Sequence, residues 1–257
     1  MSTCTNLTAY KGRGAVSIAL RNTDGTLGQW FPVAESRRLE VTNTQDFEDQ
    51  YSRCDRVGGN IIHALQQTDY EVAIDTYDFS PDSLARAYYG TVSTVAAGSA
   101  VNEALVFTAV GETMPLANPF GVTAISAESN TATALVEDVD YSVDLEHGTI
   151  TLLDATNFTG SVPGQMDVDY SFIEYDKVES GLTGVKEYAV RFDGINVLDN
   201  MPYQVFMWRI AMNLSASLSL ITEDTASLEM TGKLLADTTR PAGESQYWVA
   251  KIGKVAV

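Results

Sequence analysis

The chain is poor in the side chains that most enzyme chemistry uses. Its 257 residues include two histidines, His63 and His147, and two cysteines, Cys4 and Cys54. Neither cysteine stands in a CxxC or Cys/His spacing, so both read as free thiols and no zinc site is encoded. Two isolated histidines are too few for a multi-histidine metal centre, and His63, inside NIIHAL, reads as a strand residue. Serines are plentiful, yet no G-x-S-x-G elbow occurs and neither histidine has a triad context, so nucleophilic catalysis is not expected. Long apolar runs are also missing: nothing approaches the ~20 residues of a membrane span. The N-terminal MSTCTNLTAYKGRG has no apolar segment behind its basic residues, which excludes a secretory signal there. The expectation is a chain made in the cytoplasm, without a membrane anchor.

Positive charge is scarce as well. Sixteen Lys and Arg face thirty-four Asp and Glu, a net charge of -18. Between residues 97 and 180 there are fourteen acids and Lys177 as the one base, a balance of -13, which leaves -5 for the remainder. No basic stripe exists to neutralise phosphates, so specific nucleic-acid binding is excluded. The acids suggest three chemistries and support none. Asp138, Asp140 and Asp144 in EDVDYSVDLEHG lack the glycine at position six and the glutamate at position twelve of an EF-hand loop; a solvated strand edge and a hairpin are the simpler reading. Asp167 and Asp169 alternate with Met166 and Val168, as on the wet face of a strand. A glycosidase needs two carboxylates at a suitable separation, a condition that selects nothing among thirty-four acids. Gly12-Arg13-Gly14 has neither a preceding strand nor a third glycine and reads as part of a flexible arm. Trp30, Tyr88, Tyr89, Trp208 and Trp248 are scattered among strand patterns, which favours core or interface packing over a sugar platform.

What the chain does have is two-residue alternation. Lys186 to Asp237 contains EYAVRFDGI, YQVFMWRIAMNL and TASLEMTGKLLAD, three strand-like segments separated by Asn, Asp, Pro and Glu. In the middle one, Phe206, Trp208, Ile210, Met212 and Leu214 fall on an apolar face, opposite the mixed face of Tyr203, Val205, Met207, Arg209, Ala211 and Asn213. Upstream, VSIAL and Trp30 to Val33 flank the turn NTDG as a hairpin, and RLEVT runs into a charged passage, NTQDFEDQYSRCDRVGGN, that reads as a long loop. Loops longer than ~12 to 15 residues are functional or disordered more often than not. Ile61 to Gln66 and Tyr70 to Phe79 follow as strands. One helix is predicted: SPDSLARAYYG has Ser80 at the N-cap, Pro81 at N1, Asp82 in the first turn and Gly90 as C-cap, with Leu84, Ala87 and Tyr88 on one face. Residues 91 to 101 read as a small-residue linker, and the acidic stretch beyond them as closely spaced short strands of a small antiparallel sandwich.

In combination, RRLEVTNTQDFEDQYS with its glycine-bearing loop, TDYEVAIDTYDF, SPDSLARAYYG, the strands EYAVRFDGINVLDNMPYQVFMWRIAMNLSASLSL and the closing TASLEMTGKLLAD resemble the major tail tube proteins of tailed bacteriophages. VEDVDYSVDLEHGTITLLD and VDYSFIEY resemble a β-module inserted in such tail proteins. The resemblance implies a mainly β fold: a tail-tube-type antiparallel β-sandwich or barrel with one short α-helix, in parts 1–96 and 181–257, plus an inserted Ig-like β-sandwich at 97–180 that decorates the outside. It implies a structural protein and no enzyme. Subunits form hexameric rings that stack into a conduit for genome ejection, assembled in the host cytoplasm and carried in the virion tail. The implied partners are further copies of the chain, a tape-measure protein, terminator and baseplate proteins, DNA passing without specific binding, and a sheath where the tail is contractile; no metal, cofactor or membrane is implied.

The long loop, with Gln45, Asp46, Phe47, Glu48, Asp49, Tyr51, Arg53 and Arg56, would reach a neighbouring subunit or ring, and the N-terminal arm and the tail from Asp237 to Val257 would add contacts. Glu40, Glu71, Asp75 and Glu229, on polar strand faces, are the candidate acids of the channel. The competing expectation is a two-module carbohydrate-binding or adhesion protein whose acidic sandwich engages the ligand.

Overall fold

The computed structural model describes residues 9–51, 54, 60–158 and 164–254. In chain order the elements are β1 (Gly12–Arg21), β2 (Leu27–Val33), β3 (Ser36–Tyr51), β4 (Asn60–Thr76), α1 (Pro81–Ala87), β5 (Thr91–Val95), β6 (Gly98–Phe107), β7 (Thr113–Pro115), β8 (Thr123–Ser129), β9 (Tyr141–Asp144), β10 (Thr149–Leu152), β11 (Gly164–Phe172), β12 (Tyr175–Glu179), β13 (Glu187–Asn196), β14 (Met201–Met212), β15 (Leu228–Leu234) and β16 (Trp248–Ile252). The protein is mainly β, with several antiparallel sheets and a single short helix among the described residues. The chain divides into two compact units, one of Met1–Thr91 with Val178–Val257 and one of Val92–Lys177.

The first unit is an eight-stranded sheet in the order β2-β1-β13-β14-β15-β4-β3, with β16 added to β14. Its core joins Val16 and Ile18 of β1, Val72 and Ile74 of β4, Tyr188 and Val190 of β13, Met207, Ile210 and Met212 of β14, and Leu228, Met230 and Leu234 of β15, closed by Ala87 of α1. The strict alternation expected for the middle strand fails at one point. Tyr188 pairs with Ile210, but Val190 pairs with Met207, so β14 carries an extra residue opposite β13. This bulge moves the core face from Val205 and Met207 to Ile210 and Met212. Phe206 and Trp208 are thereby turned to the other side. There Phe206 packs on Trp30 with ring centres 5.4 Å apart, and the Arg240 guanidinium lies 3.8 Å from the Trp208 ring centre.

Several expectations are corrected here. Gly12 to Gly14 is not part of a flexible arm but the start of β1, where Gly14 pairs with Gly194; a Cβ on Gly14 would lie 2.4 Å from the Asp193 carbonyl oxygen. Residues 43 to 51 are not a loop: β3 and β4 pair from Ser36↔Thr76 to Tyr51↔Asn60 with three register shifts, because Thr, Gln and Phe satisfy a strand pattern even where charges interrupt it. The two strands expected at 61–66 and 70–79 are one strand, β4. The linker at 91–101 contributes β5, which pairs with β12, and the start of β6. The tail supplies β16 to its own sheet through pairs such as Phe206↔Val249.

The helix is capped as its sequence demands at one end. The Ser80 hydroxyl accepts from the Ser83 N–H, Pro81 opens the helix, and Leu84 and Tyr88 pack on the core. At the other end Tyr89, not Gly90, takes the left-handed conformation, with φ of 51°. The Gly90 N–H closes the helix on the Ala85 carbonyl at 2.7 Å, and a Cβ there would lie 2.6 Å from the Glu179 carbonyl oxygen. Close approach of β12, rather than backbone freedom, requires that glycine.

The second unit is a small sandwich of two three-stranded sheets, β7-β10-β9 and β6-β11-β8, which share a core of Phe107, Ile150, Leu152, Met166, Val168 and Tyr170 with their neighbours. Met166 and Val168 are buried as the alternation requires, with Asp167 and Asp169 on the opposite face. Two of the three acids of the calcium-like stretch take separate structural roles. Asp140 is buried, accepting from the Val136 N–H and the Asn157 side-chain amide, so strand-edge solvation does not describe it. Asp144 closes the β9–β10 hairpin, accepting from the N–H groups of Glu146 and His147 and meeting the His147 ring at 2.8 Å. Among the described residues no cluster of His, Cys, Asp or Glu has the arrangement of a metal site.

Two predictions follow from this packing. Gly14→Ala should destabilise the protein by about 1–3 kcal/mol in urea unfolding, because backbone atoms of β13 occupy the space. Gly12→Ala, whose Cβ meets only the movable Tyr10 ring, should cost less; equal costs would contradict the packing argument. The hydrogen bond from the His147 ring holds the Asp144 carboxyl below its usual range, and the same bond lifts the imidazole above its usual value. The histidine's contribution is full below the unfolded pKa and is lost as pH rises through the lifted one. That of the carboxylate is lost as pH falls through its depressed one. NMR titration should therefore place His147 above a free histidine at about 6.5, and Asp144→Asn should return it; an unshifted His147 would contradict the pairing.

Candidate assembly surfaces

Two surfaces of the first unit gather the residues singled out from the sequence. The first is the outer, polar face of β3, β4 and β15. Register places Arg38 opposite Asp75, Glu40 opposite Ala73, Thr42 opposite Glu71, and on the other side of β4 pairs Glu229 with Asp75 and Lys233 with Glu71. Glu40, Asp75 and Glu229 converge on Arg38, at 3.3, 3.0 and 2.8 Å. The three are therefore not free acids. Their negative charges, that of Asp75 foremost, raise the Arg38 pKa. Glu71 shares the face without an ion pair among the described residues, and Lys233 reaches instead to Asp69 at 3.0 Å. Hydrogen bonds from Gln67 and then Lys233 hold the Asp69 carboxyl below its usual range. Five acids and two bases thus occupy one exposed sheet face, a modest negative excess.

The second surface is the far half of the β3–β4 hairpin. β15 accompanies β4 only from Thr76 to Tyr70, so residues 44–51 and 60–69 form a ribbon with no third strand. At ~3.3 Å per residue it extends roughly 25 Å beyond the sheet. A bulge at Gln66, between Asp46↔Gln67 and Phe47↔Leu65, lets β4 follow β3 outward. Phe47, Asp49 and Tyr51 lie on the continuation of the core-facing side, with Leu65 and His63 across from them. Phe47 stacks on His63 with ring centres 4.3 Å apart, and the His63 ring nitrogen lies 2.6 Å from Asp49. Among the described residues nothing covers this row: Leu65 is 52% exposed and Tyr51 58%. On the other face Glu48 accepts from the Gln66 side-chain amide, while Gln45 and Asp46 are exposed nearer the sheet. Arg53 and Arg56 lie outside the described residues, as do Gly58 and Gly59.

The sequence reading did not find Leu65, whose place opposite Phe47 depends on the bulge. It also extended the middle strand too far. β14 ends at Met212, since Ser215 turns its N–H to the Ala87 carbonyl and its hydroxyl to that of Glu229. Leu214, expected in the core, is exposed.

A charge centre of a different kind stiffens the same unit. Arg209 makes a two-pronged contact with Glu187, at 2.7 and 2.8 Å, and the almost buried Arg21 bridges Glu187 and Asp237 at 3.6 and 2.9 Å. The Arg209 hydrogen bond holds the Glu187 carboxyl below its usual range. Burial pushes Asp237 up, but the Thr239 hydroxyl and N–H, with Arg21, bring it below the usual range on balance.

These features define a mainly β protein: an eight-stranded sheet with a projecting ribbon and an inserted β-sandwich. A family model described as protein of unknown function UCP028589 matches residues 9–251, and the chain belongs to that family. No curated protein matches it.

The Arg38 cluster makes a direct prediction. Arg38→Gln leaves three carboxylates facing one another, so the melting temperature should fall at pH 7 and recover in part at 1 M salt, where exposed charges are screened. A melting temperature unchanged at low salt would show that Arg38 does not hold the face together.

Proposed function

We propose that the chain is a self-assembling structural subunit, a tail tube protein of a tailed bacteriophage, with hexameric rings stacked into a conduit for genome ejection. The observation that carries this reading is the β3–β4 ribbon. A two-stranded ribbon alone is marginal in water, and this one displays Phe47, Leu65 and Tyr51 where a sheet would bury them. Covering them with a neighbouring copy contributes about 1 kcal/mol apiece, since each is already partly shielded. The sheet path also ends in two strands, β2 and β3, that have one neighbour each. Pairing between copies satisfies such edges, which otherwise invite uncontrolled association.

The outer face of β3, β4 and β15 suits the channel. Its negative excess repels the DNA backbone, and the Arg38 pairs keep the field weak enough for a close-packed ring of identical subunits. In this reading the subunit performs no chemistry and holds no cofactor. Its partners are its own copies, a tape-measure protein, the terminator and baseplate proteins, and a sheath in a contractile tail; its place is the virion tail.

Replacing Gln45–Thr68 by an Asn-Gly turn, which suits a two-residue hairpin, tests the ribbon. The variant should remain a folded monomer whose melting temperature lies within a few degrees of the parent, and sedimentation should show no assembly. Assembly equal to that of the parent chain would remove the ribbon from the account.

A further inference from the structure

The segment that joins β14 to β15 has a strand pattern and no strand. Leu214, Ala216, Leu218 and Leu220 alternate with Ser215, Ser217 and Ser219, and Ile221 follows. Its first part is tied down: the Ser215 N–H reaches the Ala87 carbonyl at 2.8 Å, and the Tyr88 hydroxyl donates to the Ser217 carbonyl at 2.6 Å. Beyond that tether, Leu218–Ile221 makes no hydrogen bond among the described residues. Leu220 is 78% exposed and Ile221 98%. Single exposed apolar residues are ordinary; three within four positions, on unpaired β-prone backbone, are not. Glu223 and Asp224 follow directly, both exposed.

The same unit contains a space with the complementary character. Strands β1 and β2 at one end of the curled sheet and β3 at the other line a half-open cavity of about 1130 Å³. Val33, Leu39, Val41, Phe192, Val205 and Met207 form its apolar wall. Leu39, Phe192 and Val205 are only half-buried and Val41 is 36% exposed, whereas Val33 and Met207 are buried, so the first four offer the uncovered apolar surface. Arg13 and Arg37 stand at the wall, and neither makes an ion pair among the described residues, although the chain as a whole is strongly acidic. One carboxylate, Glu35, accompanies them. No residue of 213–227 lines the cavity, so the chain does not fill it with its own segment.

We infer that Leu218–Asp224 of one copy docks in the β1–β2–β3 cavity of a second copy, with Leu218, Leu220 and Ile221 against the apolar wall and Glu223 and Asp224 beside Arg13 and Arg37. The fit is one of shape class and charge sign together: three apolar side chains for the wall, two acids for the two unpaired cations. Segment and cavity are different patches of one molecule, so the contact is head-to-tail. Repeating it generates a ring or a filament instead of a closed pair. The inference rests on the self-assembly reading above and specifies a contact that the ribbon does not provide.

Cross-linking tests it on the full-length chain. In a Cys4→Ser, Cys54→Ser background, Leu220→Cys and Val41→Cys are placed in separate proteins, mixed under assembly conditions and oxidised. The expected result is a disulfide dimer joining one of each, identified by mass spectrometry. Assembly without that cross-link overturns the inference and leaves the self-assembly reading standing; a chain that stays monomeric at every concentration overturns both. A second measurement is independent of cysteine geometry. Leu220→Asp with Ile221→Asp changes only exposed side chains, so the melting temperature should hold while the concentration needed for assembly rises at least tenfold, the effect of losing a central contact. Arg37→Glu should weaken assembly similarly, and Asp224→Arg in the same chain should restore it, since each interface then carries the swapped pair. Unchanged assembly in the leucine–isoleucine variant, or failure of the charge swap to restore it, also overturns the contact.

Discussion

Strand β14 is the constraint on which the first unit depends. It pairs with β13 along one edge and with β15 and β16 in succession along the other, so three strands take their register from it. Its bulge decides which side chains meet the core. Before the bulge Met207 points inward; after it Ile210 and Met212 do, and Phe206 and Trp208 are left for the outer side with Trp30 and Arg240. The Arg21–Glu187–Arg209–Asp237 cluster sits where β1, β13, β14 and the following segment meet, fixing that junction with charges that satisfy one another. Partners of this kind are costly to break singly, because the remaining charge is left unpaired.

A sheet organised in this way exposes its ends. β2 and β3 are the outer strands, and β3 runs on with β4 well past the last pairing of β4 with β15. The residues carried outward are a mixture: Phe47, Tyr51 and Leu65 share the side continuous with the core with the Asp49–His63 pair, while Glu48 and Gln66 meet on the other. Two further features are incomplete in the single chain, the apolar segment Leu218–Ile221 and the open cavity at β1, β2 and β3. The proposed assembly of identical copies would account for all of them by one cause. The charge distribution agrees with that proposal: most of the acidity belongs to residues 97–180, and the sheet face with Arg38 keeps only a small excess.

The sequence revealed the β class, the helix start and the three strands around residues 187–234 because each has a local cause. Ser80 and Pro81 specify a helix start by themselves, and Met166-Asp167-Val168-Asp169 specifies a strand with two unlike faces. What was not legible depends on pairing across long separations. The bulge in β14 exists only against β13, so Phe206 and Trp208 could not be placed from alternation. The passage 43–51 is charged, and its strand character appears only when β4 runs beside it. Three of the four acids assigned to the channel meet Arg38, yet Arg38 and Glu229 are 191 positions apart in the chain. Gly90 illustrates the same limit: its position suggested a left-handed cap, while the approach of Glu179, far along the chain, is what requires it.

The central claim is self-assembly through surfaces that a lone subunit leaves uncovered. Negative-stain electron microscopy of the purified full-length chain, imaged over a range of concentrations, tests it most directly. The account predicts rings with an open bore, or striated tubes built from them. A monodisperse monomer at every concentration, above all one that binds glycans, would contradict it and favour a carbohydrate-binding protein.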